Sequence, residues 1–85
     1  MKLHRLAKKL GAGSLKNVAF SDMIKLVEGF GFRLTRVSGS HHIFTHPEIP
    51  ELVNLQEVQG QAKPYQIRQV LKLVERYNLR LEESE

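Results

Sequence analysis

Ile67, Val70, Leu71, Val74 and Tyr77 stand at i, i+3, i+4, i+7 and i+10, the most regular apolar pattern in the chain. That spacing predicts an amphipathic helix over about 64–77. Pro64 suits its first position, where a missing N–H breaks no hydrogen bond. One apolar stripe is not a core, so the rest of the chain must supply the surface it packs against. With 85 residues there is room for one small domain, in which nearly every periodic segment serves a single core.

Met23, Ile24, Val27 and Phe30 form a second helical stripe. Ser21 reads as its N-cap, Asp22 favours its first turn, and Gly29 and Gly31 end it near residue 30. Between the two helices the period changes to two. Residues 32–37 read as a strand with Phe32 and Leu34 on one face and Arg33 and Thr35 on the other. Ser38-Gly39-Ser40 is turn chemistry, 41–46 a second strand, and 47–51, with Pro47 and Pro50, a loop. A third strand starts at Leu52 and ends at Leu55 or Val58, and 59–63 reads as a polar loop. The expected fold class is α+β in the order α-β-β-β-α. It has a three-stranded antiparallel sheet, two helices on one face, and the other face free for a ligand or partner.

In front of this unit, Leu3, Leu6, Ala7 and Leu10 follow a weak helical spacing with Lys2, Arg5, Lys8 and Lys9 between them. Gly11-Ala12-Gly13-Ser14 breaks the pattern. Residues 1–17 therefore read as a basic N-terminal extension outside the core, 18–80 as the domain, and 81–85 as an acidic tail.

The chain has no cysteine, which excludes a disulfide framework, a zinc ribbon and thiol catalysis. No apolar run exceeds the three residues Val18 to Phe20, so no membrane span or signal-peptide core is expected, and the cytoplasm is the expected location. The net charge of +4 is uneven: residues 1–40 carry +6 and residues 41–85 carry −2. A one-sided positive charge fits a polyanionic partner, with nucleic acid the leading candidate over a merely soluble surface.

The stretch from Arg36 to Phe44 holds the chemistry. Imidazole titrates near physiological pH and suits proton transfer, and His41 directly follows a Gly-Ser turn on a short, exposed element. Alternation along a strand sends His41 and His42 to opposite faces, so they do not act as a pair. His46 adds nothing toward a converging ligand set, and neither a metal nor a cofactor is expected.

From Lys16 to Glu83 the chain resembles the HicA family of toxins from bacterial toxin–antitoxin systems, also called YcfA-like. The resemblance rests on Phe20-Ser21-Asp22, Gly31-Phe32 and Arg36-Val37-Ser38-Gly39-Ser40-His41-His42-Ile43-Phe44. It also rests on Pro47 and on Lys63-Pro64-Tyr65-Gln66-Ile67-Arg68-Gln69-Val70-Leu71. It implies a fold like the double-stranded-RNA-binding domain, and a small metal-independent endoribonuclease that cleaves mRNA and is neutralised by a HicB-type antitoxin. The family's catalytic histidine, the one after Gly-Ser, falls on His41. For RNA contact the candidates are Arg33, Arg36, Ser38, Gly39, Ser40, His42 and Lys63, chosen for charge, hydrogen bonding or position in the turn. Many members carry Val-Pro-Val-His on the third strand, where this chain has Leu52-Val53-Asn54-Leu55. Many also open the last helix with Gly-Thr-Leu, where this chain has Lys63-Pro64-Tyr65-Gln66-Ile67.

Two rival readings come from other classes. A non-catalytic RNA-binding module of the same fold would grip A-form backbone and tolerate loss of His41. A pure interaction protein would show no salt-dependent RNA binding.

Overall fold

The computed structural model describes residues 3–81. Lys2 and residues 82–85 of the expected acidic tail lie outside them. The elements run α1 (Leu3–Gly11), α2 (Phe20–Gly29), β1 (Arg33–Ser38), β2 (His41–His46), β3 (Ile49–Val58), β4 (Gln61–Ala62) and α3 (Pro64–Arg76). The protein is α+β, with three helices and one antiparallel sheet in the order β1-β2-β3-β4 among the described residues.

All three helices end the same way, for a local reason. In α2 the amide of Gly31 donates to Glu28 O (3.0 Å) and that of Phe32 to Val27 O (3.1 Å), with Gly31 at φ +99°. This is the Schellman arrangement, and the residue with positive φ is the one that glycine or asparagine accommodates. Gly13 plays the part after α1 and Asn78 (φ 52°) after α3. Pro64 stands at the start of α3, as its spacing predicts. The start of α2 departs from expectation. Its N-cap is Ala19, which has no side-chain cap, and Ser21 lies inside the helix. The reason is that the chain before α2 is held elsewhere: Phe20 N donates to Gly60 O and Ala62 N to Val18 O.

Gly31 also marks a close approach. A Cβ there would stand 2.8 Å from His46 Nε2, which meets Phe30 O at 3.2 Å, while Glu48 N–H donates to His46 Nδ1 at 3.1 Å. An amide can only donate and a carbonyl only accept, so His46 is held as the Nε2–H tautomer. Gly31→Ala is expected to cost about 2 kcal/mol, combining the positive-φ penalty with displacement of the ring. Gly39→Ala, also at positive φ but facing open space, is expected to cost only about 1 kcal/mol. Urea unfolding of the two variants checks the difference.

Three expectations are corrected. The sheet has four strands, not three, because Gln59 (φ 53°) and Gly60 (φ 78°) form a tight hairpin turn that returns Gln61–Ala62 along β3. Positive φ at both central residues is the type I′ pattern, for which Gln-Gly is a weak sequence signal. Residues 47–51 are not a loop: Pro47 and Glu48 make the turn, and β3 starts at Ile49 and runs through Pro50. The β2–β3 ladder is irregular between Phe44 and His46, and such a place tolerates proline. Third, the N-terminal segment is not outside the core. Leu6, Leu10 and Leu15 are buried in the same cluster as Phe44, Leu55 and Ile67, and α1 packs on α2.

The helices cover one face of the sheet. His42, Phe44, Val53 and Leu55 point to it, with Phe44 and Leu55 fully buried. Phe20 of α2 meets His42 edge-on at 4.9 Å. At the far end, Tyr77 Oη donates to both carboxylate oxygens of Glu51 (2.7 and 2.9 Å) and Arg76 Nη1 to one of them (3.0 Å). The Tyr77 hydrogen bond, with help from Arg76, holds Glu51 below its ordinary 4.5, and the same contact raises Tyr77 above 10.0. A lowered carboxyl stabilises fully above its unfolded value and loses that contribution as pH falls through the folded one. A raised phenol stabilises fully below its unfolded value and loses it as pH rises. The Tm difference between wild type and Glu51→Gln is therefore expected to be widest near neutral pH and to shrink below pH 4.5.

Candidate nucleic-acid interface on the open face of the sheet

The β1–β2 hairpin is closed by Gly39 and Ser40, with Ser38 paired to His41. Gly39 at φ +60° supplies the positive φ that a two-residue hairpin of type II′ needs at its first central position. This fixes His41 as the first residue of β2. Its cross-strand partners are Ser38 on β1 and Gln56 on β3, and the next row on the same face is Arg36, Ile43 and Asn54.

Arg36 reaches that face through a β-bulge. The register slips between Leu34, opposite Phe44, and Arg36, opposite Ile43. Thr35 is the extra residue, and its Oγ1 donates to Ile43 O at 3.1 Å. A strict alternation would put Arg36 on the helical face beside Leu34; one inserted residue reverses this.

The result is a shallow cavity of about 590 Å³ lined by Thr35, Arg36, Ser38, His41, Ile43, Leu52 and Asn54. His41 Nδ1 stands 3.1 Å from Asn54 Oδ1. An amide oxygen accepts, so Nδ1 carries a proton, and Nε2 has no hydrogen-bond partner among the described residues. Behind this row Gln66, 4% exposed, accepts the Gln56 amide through Oε1 at 2.7 Å. That bond ties α3 to the strand that carries Asn54.

Of the residues singled out from sequence, the structure gathers His41, Arg36 and Ser38 in one cavity. Gly39 and Ser40 form the exposed hairpin tip above it; Ser40 O accepts from Glu57 N–H at 3.0 Å, and Gln56 Nε2 reaches Ser40 Oγ at 3.5 Å. His42 faces the helices, with Nδ1 3.3 Å from Ser40 O. Arg33 lines a different depression at the far end of the sheet, with Glu28, His46 and Glu48. Lys63 holds the N-cap position of α3, its Nζ 5.8 Å from the centre of the Tyr65 ring. Among the described residues no three His, Asp or Glu side chains converge as a metal-binding group.

Asn54, Thr35, Ile43 and Leu52 were not legible as site residues. Asn54 carries one faint signal: a strand-disfavoured residue between two apolar positions, Val53 and Leu55, that are both buried. The register that places it beside His41 is a long-range property.

Residues 20–75 match the family model described as the HicA toxin of bacterial toxin–antitoxin systems, so the match takes in α2, all four strands and nearly all of α3. A search of curated proteins finds no match. Among the described residues no helix is long and apolar enough to cross a membrane. More than half of the chain, including every residue lining the His41 cavity, falls within the family match, and the protein belongs to the HicA toxin family, the toxin component of a toxin–antitoxin pair whose partner is an antitoxin.

Proposed function

We propose that the protein is an mRNA-cleaving endoribonuclease with His41 as its catalytic base, working in the cytoplasm and neutralised by a HicB-type antitoxin. The observation that carries this is the Asn54 contact. It holds the His41 ring by Nδ1 and leaves Nε2 as a proton acceptor beside Arg36 and Ser38. The order α2-β1-β2-β3-α3 supports a core of the double-stranded-RNA-binding-domain type, with the bare sheet face as the RNA side.

RNA brings its own nucleophile. Nε2 of His41 takes the proton of a ribose 2′-OH, O2′ attacks the adjacent phosphorus, and the P–O5′ bond breaks. The leaving oxygen takes a proton from water. The products are a 2′,3′-cyclic phosphate and a 5′-hydroxyl end, with no metal or cofactor required. Arg36 lies where it balances charge building on the phosphate, and Ser38 and Ser40 supply hydroxyl donors. Gly39 lets the backbone approach the strand. Arg33, His42 and Lys63 stand outside the cavity, so any part they take in RNA binding is away from the cleaved bond.

The test is cleavage of a single-stranded RNA in EDTA with analysis of product ends. Unchanged rates in EDTA and cyclic-phosphate ends are expected; a linear 3′-phosphate or 5′-phosphate product formed from the start, or loss of activity in EDTA, sinks the mechanism. Asn54→Ala is expected to lower kcat by about 10–100-fold through loss of ring alignment. Asn54→Asp keeps an acceptor oxygen and is expected to retain most activity. RNA binding without cleavage would favour the non-catalytic module instead.

A further inference from the structure

Helix α1 lies outside the family match, and the sheet face gives it no task. Its apolar side is used in the core, where Leu6 and Leu10 are 2% and 1% exposed. Outward stand Arg5, Lys8 and Lys9, all exposed and neighbours at i, i+3 and i+4 on one helical face. Lys16 follows, also exposed, and residues 3–19 contain no carboxylate. The charge continues onto α3. A groove beside α1 has Ala7 and Gly11 on one wall and Arg68 and Lys72 on the other, with Glu75 the single carboxylate among the described residues of its lining. Among the described residues none of these six cations is ion-paired.

A helix whose apolar side is already buried has nothing to insert into a bilayer, which removes the membrane-surface mode of basic amphipathic helices. Among the described residues the exposed large hydrophobic ones are Leu34, Val37, Leu52, Val58 and Tyr65, none of which lines this groove. Protein interfaces have an apolar centre depleted of charge, whereas nucleic-acid interfaces are polar and strongly positive. Cations fixed to a folded scaffold attract a polyanion through counterion release.

We propose that α1, continued by Arg68 and Lys72, is a second RNA-binding surface that grips backbone phosphates on the helical side while His41 opens on the bare face of the sheet. This rests on the reading of the protein as acting on RNA. The surface reads charge and not sequence, and it raises the local concentration of RNA around a small cavity that holds few contacts of its own.

The experiment measures binding of a short single-stranded RNA with 2′-O-methyl riboses throughout, which 2′-OH attack cannot cleave, across a salt series. Neutralising three phosphate contacts in Lys8→Gln/Lys9→Gln/Lys16→Gln is expected to flatten the slope of log K against log salt by about 2, at about 0.7 per phosphate for single strands. Arg68→Gln/Lys72→Gln, on a separate helix, is expected to flatten it by about 1. Unchanged slopes in both folded variants, with unmodified RNA still cleaved, overturn this inference alone. Absence of RNA binding by the wild type overturns it together with the ribonuclease reading. Unchanged RNA slopes with loss of antitoxin binding assign the surface to a protein partner and overturn it as well.

Discussion

His41→Ala is expected to lower RNA cleavage by about 10²–10⁴-fold, the usual contribution of one general base, while RNA binding stays within a factor of a few. The side chain is half-buried at the start of β2, and its one hydrogen bond among the described residues goes to the exposed Asn54, so its removal leaves the core untouched. His42→Ala is the matched control. That ring faces the helices and packs edge-on against Phe20. Its loss is expected to cost stability of about 0.5–1.5 kcal/mol and to leave the chemical step in place. Rates for both variants and for wild type, with circular dichroism on each, check the pair. Equal activity of His41→Ala and wild type would remove His41 from the mechanism.

Leu10→Ala is expected to destabilise the protein by about 2–5 kcal/mol, the range for emptying a filled core position. For a domain of this size each kcal/mol lowers Tm by about 4–8 °C, so the effect takes a large share of a typical total of 5–15 kcal/mol. The side chain is 1% exposed. Were residues 1–17 a solvated appendage, the same substitution would change Tm by no more than a surface mutation. Lys9→Ala, one position away and exposed, is expected to stay within about 0.5 kcal/mol. Thermal unfolding of the two variants decides between a docked helix and a tail.

What was legible and what was not follow a physical line. Local signals held wherever a residue's own backbone preference or the spacing of its near neighbours decides the outcome. The stripe from Ile67 to Val74 made α3, Met23 to Val27 made α2, and Gly31 and Gly39 took the positive φ values that end a helix and turn a hairpin. The opposite facing of His41 and His42 came from alternation alone, since nothing interrupts β2 between them.

Three features could only be settled by distant parts of the chain. A nine-residue helix such as α1 has too few hydrogen bonds to persist by itself, so its place in the core depends on the surface α2 offers it. The bulge at Thr35 is created by pairing with β2, and it is this that brings Arg36 to the face of His41. The Asn54 contact depends on the β2–β3 register, which joins residues thirteen apart. The sequence by itself determined α2, α3, the β1–β2 hairpin and which histidine follows its turn, because those are properties of neighbouring residues. Only the tertiary structure decided which side chains meet His41, because strand register and helix docking are set by the packing of the whole core.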